Sequence, residues 1–181
     1  MNNGKTLEQQ AVTAMTRARA TLVLEHPFFG SIALRMTLRS DTTCRNIWTD
    51  GCTLAYNPVY ASSLTEQTLT GAIAHEVLHI ALGHHLRRGD RDAELWNKAC
   101  DYAVNPILAE SGFTLPEGFL IKAEHTGKSA EDIYAVLTRL QDTQSHRNAE
   151  QELETEKSSS TEGRGKAESG EKHGQETDSK S

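Results

Sequence analysis

Between Leu64 and His84 the apolar residues recur with helical spacing, and this stretch constrains the chain more than any other. At 100° per residue, Leu69, Ile73, Val77 and Ile80 gather about 120 to 200° around the axis from His75, forming one stripe that can face a core. His75 and His79 fall on the other side, about 40° apart, so both imidazoles can reach one metal ion. Glu76, at about 100° on the flank, projects beside that ion, where a carboxylate can polarise a metal-bound water. The run His75-Glu76-Val77-Leu78-His79 is thus an H-E-x-x-H zinc-hydrolase signature in helical phase. Thr65 and Glu66, followed by Thr68 and Thr70, supply a start for this helix.

Other segments read as a mixture of helices and short strands. Leu7 to Leu24 predicts a helix, which His26-Pro27-Phe28-Phe29-Gly30 breaks. Ile32 to Leu38 alternates as a strand, and Ile47 to Tyr56 predicts a hairpin turning at Asp50-Gly51. Asn57-Pro58 closes the second hairpin strand. Gly89-Asp90 marks the turn after the histidine helix, and Asp92 caps a second helix from Ala93 to about Val104. Asn105-Pro106 is expected to end or kink it, because proline disfavours helical geometry in the residue before it. Past Leu115-Pro116-Glu117-Gly118, a last helix is expected over Ser129 to Leu140 with a capping-box-like start. The expected class is α+β: a small antiparallel sheet packed on a metal-binding helix and the helices after it.

Composition divides the chain near residue 141. From Gln141 to Ser181 only Leu153 is a large apolar residue, so residues 141–181 are expected to form a disordered polar tail or linker, with at most a short helix near Ala149 to Lys157. His146 and His173 in this tail read as bystanders. The ordered part, 1–140, is long enough for one core. A net charge of −6 without a basic patch argues against nucleic acid, and no apolar run is long enough for a membrane span. Cys44, Cys52 and Cys100 are widely spaced, which fits reduced thiols in a cytoplasmic protein and offers no C-x-x-C pair for zinc.

A catalytic zinc site usually takes three protein ligands, which leaves the third to be found. His85 lies six residues beyond His79, a spacing used when a glycine turns the chain back to the ion, but Leu82 stands where that glycine is needed. If the helix continues, His84 points to the apolar stripe, and His84 and His85 become alternative ligands or supporting residues. Asp101 lies 22 residues after His79, mid-way along the next helix, and small neighbours (Ala99, Cys100, Ala103) allow the close approach an aspartate needs. Its apolar flanks predict partial burial, and a metal would supply the partner a buried carboxylate requires. Asn105 could orient that carboxylate or cap the kink. Tyr56 or Tyr60 could stabilise an oxyanion or simply line the cleft. Trp48 and Trp96 read as core residues and His26 as an ordinary loop histidine.

Several ordered blocks together resemble a bacterial and phage metallopeptidase domain: Leu54-Ala55-Tyr56-Asn57-Pro58, then Ala74 to His85, then Leu95-Trp96-Asn97, and Cys100-Asp101-Tyr102-Ala103-Val104-Asn105. The similarity runs from about Arg17 to Leu140, in a domain that often precedes a von Willebrand factor A-like domain. The resemblance implies a zincin-like fold and a zinc peptidase site acting on peptide or protein substrates. In that reading His75, His79 and Asp101 hold Zn2+, and Glu76 is the general base on the bound water. The strand ending at Tyr56 is expected to pair with an extended substrate. The rival is a non-catalytic, metal-stabilised interaction module partnering an AAA-type ATPase, which a closed site with His84 or His85 as fourth ligand would favour.

Overall fold

The computed structural model describes residues 6–162, and the expectation of a disordered tail falls outside the described residues from residue 163 on, His173 included. Two compact units divide the chain, one up to Thr138 and one from Arg139. The first unit is mixed α+β, with a three-stranded sheet among its helices.

Helix α1 (Leu7–Glu25) opens on a capping box in which the Thr6 hydroxyl accepts from the Gln9 amide and the Gln9 side chain accepts from the Thr6 amide. Its inner face is Ala11, Met15, Ala18 and Leu22, all fully buried at spacings of one helical turn. Pro27 does not simply break the chain: it starts a second helix, α2 (Pro27–Ala33), because its fixed φ suits the first helical position. The strand expected from Ile32 is therefore shorter and later, β1 (Thr37–Ser40). Gly30 packs α2 on α1, and a Cβ there would lie 2.5 Å from the Val23 Cα.

Strands β2 (Ile47–Thr49) and β3 (Thr53–Tyr56) form the expected hairpin. Gly51 takes a φ of 94°, and the Asp50 carboxylate accepts from the Cys52 and Thr53 amides. The sheet is not purely antiparallel, however. β3 returns into the middle of the order β1-β3-β2 and pairs parallel with β1, so β2 is left as an edge.

Asn57 accepts from the Val59 amide at 2.9 Å and caps the short α3 (Pro58–Ser63), which the sequence reading had passed over. Helix α4 (Glu66–Ala81) follows, capped by Thr65. Leu69, Ile73 and Val77 are fully buried in one cluster with the inner face of α1, the sheet, Val104 and Leu108. Each such side chain contributes roughly 1.5–3 kcal/mol. Gly71 lets α4 touch the next layer, since a Cβ there would sit 2.1 Å from the Thr114 carbonyl oxygen. α4 does not run on to His84. It stops at Leu82, Gly83 turns the backbone with φ 63°, and α5 (His84–Arg87) begins anew. Arg87 then grips Glu131 with two guanidinium nitrogens.

Helix α6 (Ala93–Glu110) is capped by Asp92 but continues six residues beyond its expected end, with Pro106 inside it. Proline removes one helical hydrogen bond, yet Val104, Asn105, Pro106 and Leu108 are all buried, so tertiary packing carries the helix past it. The last helix, α7 (Ala130–Glu162), also outruns its expected end at Leu140. Within the first unit Ala130, Ile133, Tyr134 and Leu137 pack around Trp96, Ala99, Cys100 and Tyr102. In the second unit residues 139–148, including His146, are exposed. Residues 139–162 are rich in glutamate and glutamine, with no glycine or proline before Gly163, so helix propensity favours continuation. No helix among the described residues is long and apolar enough to cross a membrane.

Replacing Gly71 by alanine should drive a methyl group into the Thr114 carbonyl and lower the stability of the first unit by about 2 kcal/mol or more. Urea denaturation of the metal-free chain checks this, and an unchanged midpoint would contradict the close approach.

Candidate metal centre

The face of α4 opposite its apolar stripe meets α6 across a cleft of about 560 Å³. His75, Glu76 and His79 line it from α4, Asp101 from α6, and Trp48 from β2. His75 and His79 stand one helical turn apart, with their Nε2 atoms separated by 3.0 Å. The Asp101 Oδ1 lies 3.4 Å from the first and 3.3 Å from the second. Ligand atoms held about 2.0–2.1 Å from one ion at tetrahedral angles are about 3.3–3.4 Å apart, so this triangle has the dimensions of one face of a zinc coordination shell. Among the described residues, no further histidine, cysteine or carboxylate joins all three atoms.

The protonation of His75 follows from its neighbour. Asn105 is 1% exposed, and its Nδ2 donates to the Leu120 carbonyl at 3.0 Å. Its Oδ1 must therefore accept, 2.8 Å from His75 Nδ1. That nitrogen carries a proton, so in the neutral ring it is the Nε2 lone pair that is aimed into the triangle. Phe119 packs edge-on against the same ring at 4.7 Å. Asn105 thus acts on a histidine, and Asn97 is the amide near Asp101, at 3.5 Å from Oδ2.

Electrostatics set these groups apart. Burial works against charge on Asp101, but its contacts with His75 and His79 win and hold the carboxyl down at about 2. Burial likewise disfavours a charged His75, yet Asp101 and Glu76 raise its pKa, whereas for His79 burial prevails and lowers it. Glu76 has its pKa pushed up to about 7, chiefly by burial, with Asp101 adding to the rise and His75 opposing it.

The remaining expected residues fall into three places. His84 is buried, with its Nδ1 3.2 Å from His79 Nδ1, on the far side of that ring from the triangle. Burial, His79 and Arg87 together lower its pKa to about 4. His85 is exposed on the rim beside Gly51 and belongs to no ligand group. Tyr56 is 2% exposed in the core behind the cleft, and it is Tyr60 that lines the cleft. β3, which ends at Tyr56, is paired on both sides, so it has no free edge for a substrate. β2 has one, and Asn46 to Thr49 line the cleft. Trp48 is accordingly a cleft residue whose Nε1 donates to Asp41, while Trp96 is in the core, its Nε1 donating to the His84 carbonyl. His26 stacks on Phe113 at 4.2 Å. Cys100, which the lack of a C-x-x-C pair sets aside in the sequence, lines the cleft. It is 1% exposed, its thiol raised to about 12 mainly by burial, and it groups with His79 and His84. Its place directly before Asp101 on the helix was the available signal.

Residues 10–181 match the model of a family described as Putative metallopeptidase domain. The chain belongs to that family. An uncharacterised protein of Thermotoga maritima is 28% identical over 120 residues, which cover 62% of this chain but only 30% of the relative's own length. No solved structure is significantly similar. A metallopeptidase domain implies a metal ion, and His75, His79 and Asp101 are a candidate set to hold one. The donor chemistry fits: two neutral imidazoles and an ionised carboxylate suit a borderline divalent cation.

Two outcomes are expected from this geometry. Asn105→Ala frees the His75 ring and should weaken zinc binding about 10- to 100-fold, as read by competition with a chromophoric chelator. The half-buried Glu76 should also make metal-free stability depend on pH. Its folded pKa lies above the ordinary value of 4.5, so the unfolded chain holds fewer protons between about 4.5 and 7, and stability falls as pH rises through that window. Metal-free Glu76→Gln should then exceed the parent by up to roughly 3 kcal/mol at pH 8, with the gap closing below pH 4.5. Parallel denaturation curves at both pH values would show a constant gap if Glu76 titrates normally.

Proposed function

We propose that the chain is a zinc-dependent peptidase of zincin-like design, with its catalytic domain in residues 1–140 and a polar tail in 141–181. The observation that carries this is the His75–His79–Asp101 triangle, open to a cleft that Glu76 shares. A zinc ion held there would lower the pKa of a water towards neutrality and polarise a peptide carbonyl. Glu76 is the general base: near neutrality its carboxylate takes the water proton and delivers it to the departing amine nitrogen. Asp101 stays ionised across the working range and balances the cation. Asn105 keeps His75 in the ligating tautomer.

The substrate would be an extended peptide. β2 offers unpaired backbone groups along the cleft, and an added strand is the simplest way to satisfy them. Tyr60, whose hydroxyl is kept protonated first by burial and then by Glu76, stands where a donor to a developing oxyanion would be useful. The three-membered ligand set argues for an open, catalytic position over the closed site that a purely structural module would need. That the chain spans 30% of its Thermotoga maritima relative accords with a domain working inside larger proteins, whether beside a von Willebrand factor A-like domain or with an AAA-type partner. Three free thiols accord with a cytoplasmic setting.

Glu76→Gln should lower the cleavage of denatured protein substrates at least about 100-fold with zinc content unchanged. Asp101→Ala should lose the zinc along with the activity. Retained hydrolysis in zinc-loaded Glu76→Gln would overturn the mechanism.

A further inference from the structure

His79 turns its two ring nitrogens to different neighbours. Nε2 faces His75 and Asp101, while Nδ1 faces the Nδ1 of His84 at 3.2 Å. Cys100 joins His79 and His84 in a second group whose ligand atoms all lie within 4.8 Å of one another. We propose that His79, His84 and Cys100 form a second cation seat, sharing His79 with the first and selective for a soft or borderline ion such as zinc or cadmium.

Two imidazoles, one buried and one half-buried, and a buried thiol are the donors such ions prefer, whereas magnesium and calcium prefer oxygen. The 3.2 Å separation of the two imidazole nitrogens is close to the tetrahedral edge for bonds of about 2.0–2.1 Å. The fold brings these donors together by separate means. Gly83 breaks α4 with a positive φ so that His84 returns towards His79, and Trp96 holds the His84 carbonyl at 3.0 Å. α6 delivers Cys100 and Asp101 as consecutive residues, one to each seat. With only the first seat filled, His79 Nδ1–H donates to His84 Nδ1. Filling the second would release that proton and the Cys100 thiol proton to solvent, leaving His79 as an imidazolate with one nitrogen for each seat. The second seat is therefore a point at which excess soft cation would act on the ligand field of the first, and in this respect it rests on the peptidase reading.

The experiment is a cadmium titration of the full chain carrying Cys44→Ser and Cys52→Ser, followed by ultraviolet absorption and by metal content. The expected result is about two bound cadmium ions and a thiolate-to-cadmium charge-transfer band. Cys100→Ser should abolish the band and one equivalent while keeping the other, and His84→Ala should weaken the band-forming equivalent at least about ten-fold. A chain that binds cadmium with no such band, or a band that survives Cys100→Ser, overturns the second seat. Asp101→Ala separates the two readings: it should lose one equivalent and keep the band. If it changes no metal content while the band persists, the first seat fails and the second stands. Should Cys100→Ser not fold, the His84→Ala titration decides, an unchanged band-forming equivalent there counting against the proposal.

Discussion

Two imidazole nitrogens 3.0 Å apart, with a carboxylate oxygen within 3.4 Å of both, form an arrangement that surrounding structure must hold in place. Such a close group of polar atoms keeps one geometry because its supports are rigid. α4 is anchored by a fully buried stripe on its far side and by the Gly71–Thr114 contact. α6 is anchored through Trp96, Ala99 and Tyr102. Asn105 joins the two helices and the Leu120 loop in one short relay. Preorganisation of this kind is what a metal ligand set needs, since an ion then gains three donors without ordering them first.

The same arrangement defines the cleft. Helix α4 supplies one wall with His75 and His79, and β2 lines the rim. The order β1-β3-β2 shapes the cleft, because placing β3 in the middle leaves β2 as an edge strand on the cleft side. Glu76 sits between the buried environment that raises its pKa and the open space a substrate would enter. A carboxyl raised towards neutrality beside a low-pKa carboxylate is a difference produced by environment alone.

Much of this was legible from local pattern. The phase of α4, the Asp92 cap, the Asp50-Gly51 turn and the candidacy of Asp101 all follow from spacing and residue type. Other features were not, for identifiable reasons. Pro27 and Pro106 read as breaks because propensity is local, whereas the packing of Gly30 against α1 and of buried Asn105 and Leu108 is not. Tyr56 and Tyr60 were indistinguishable in sequence, and only the twist from β3 into α3 puts one in the core and the other in the cleft. Cys100 carried no C-x-x-C signal, and its partners are 16 and 21 residues away in sequence.

The sequence by itself determined that a helix would present two histidines and a glutamate on one side and an apolar stripe on the other, because a period of 3.6 residues settles which side chains share a face. It also determined that the fold would mix short strands with capped helices. Tertiary structure alone decided which carboxylate meets the histidines, which amide fixes the tautomer, which strand borders the cleft and where His84 points. Those depend on how separate elements approach one another, and a left-handed Gly83 or a missing Cβ at Gly71 sets such distances without leaving any periodic trace in the chain.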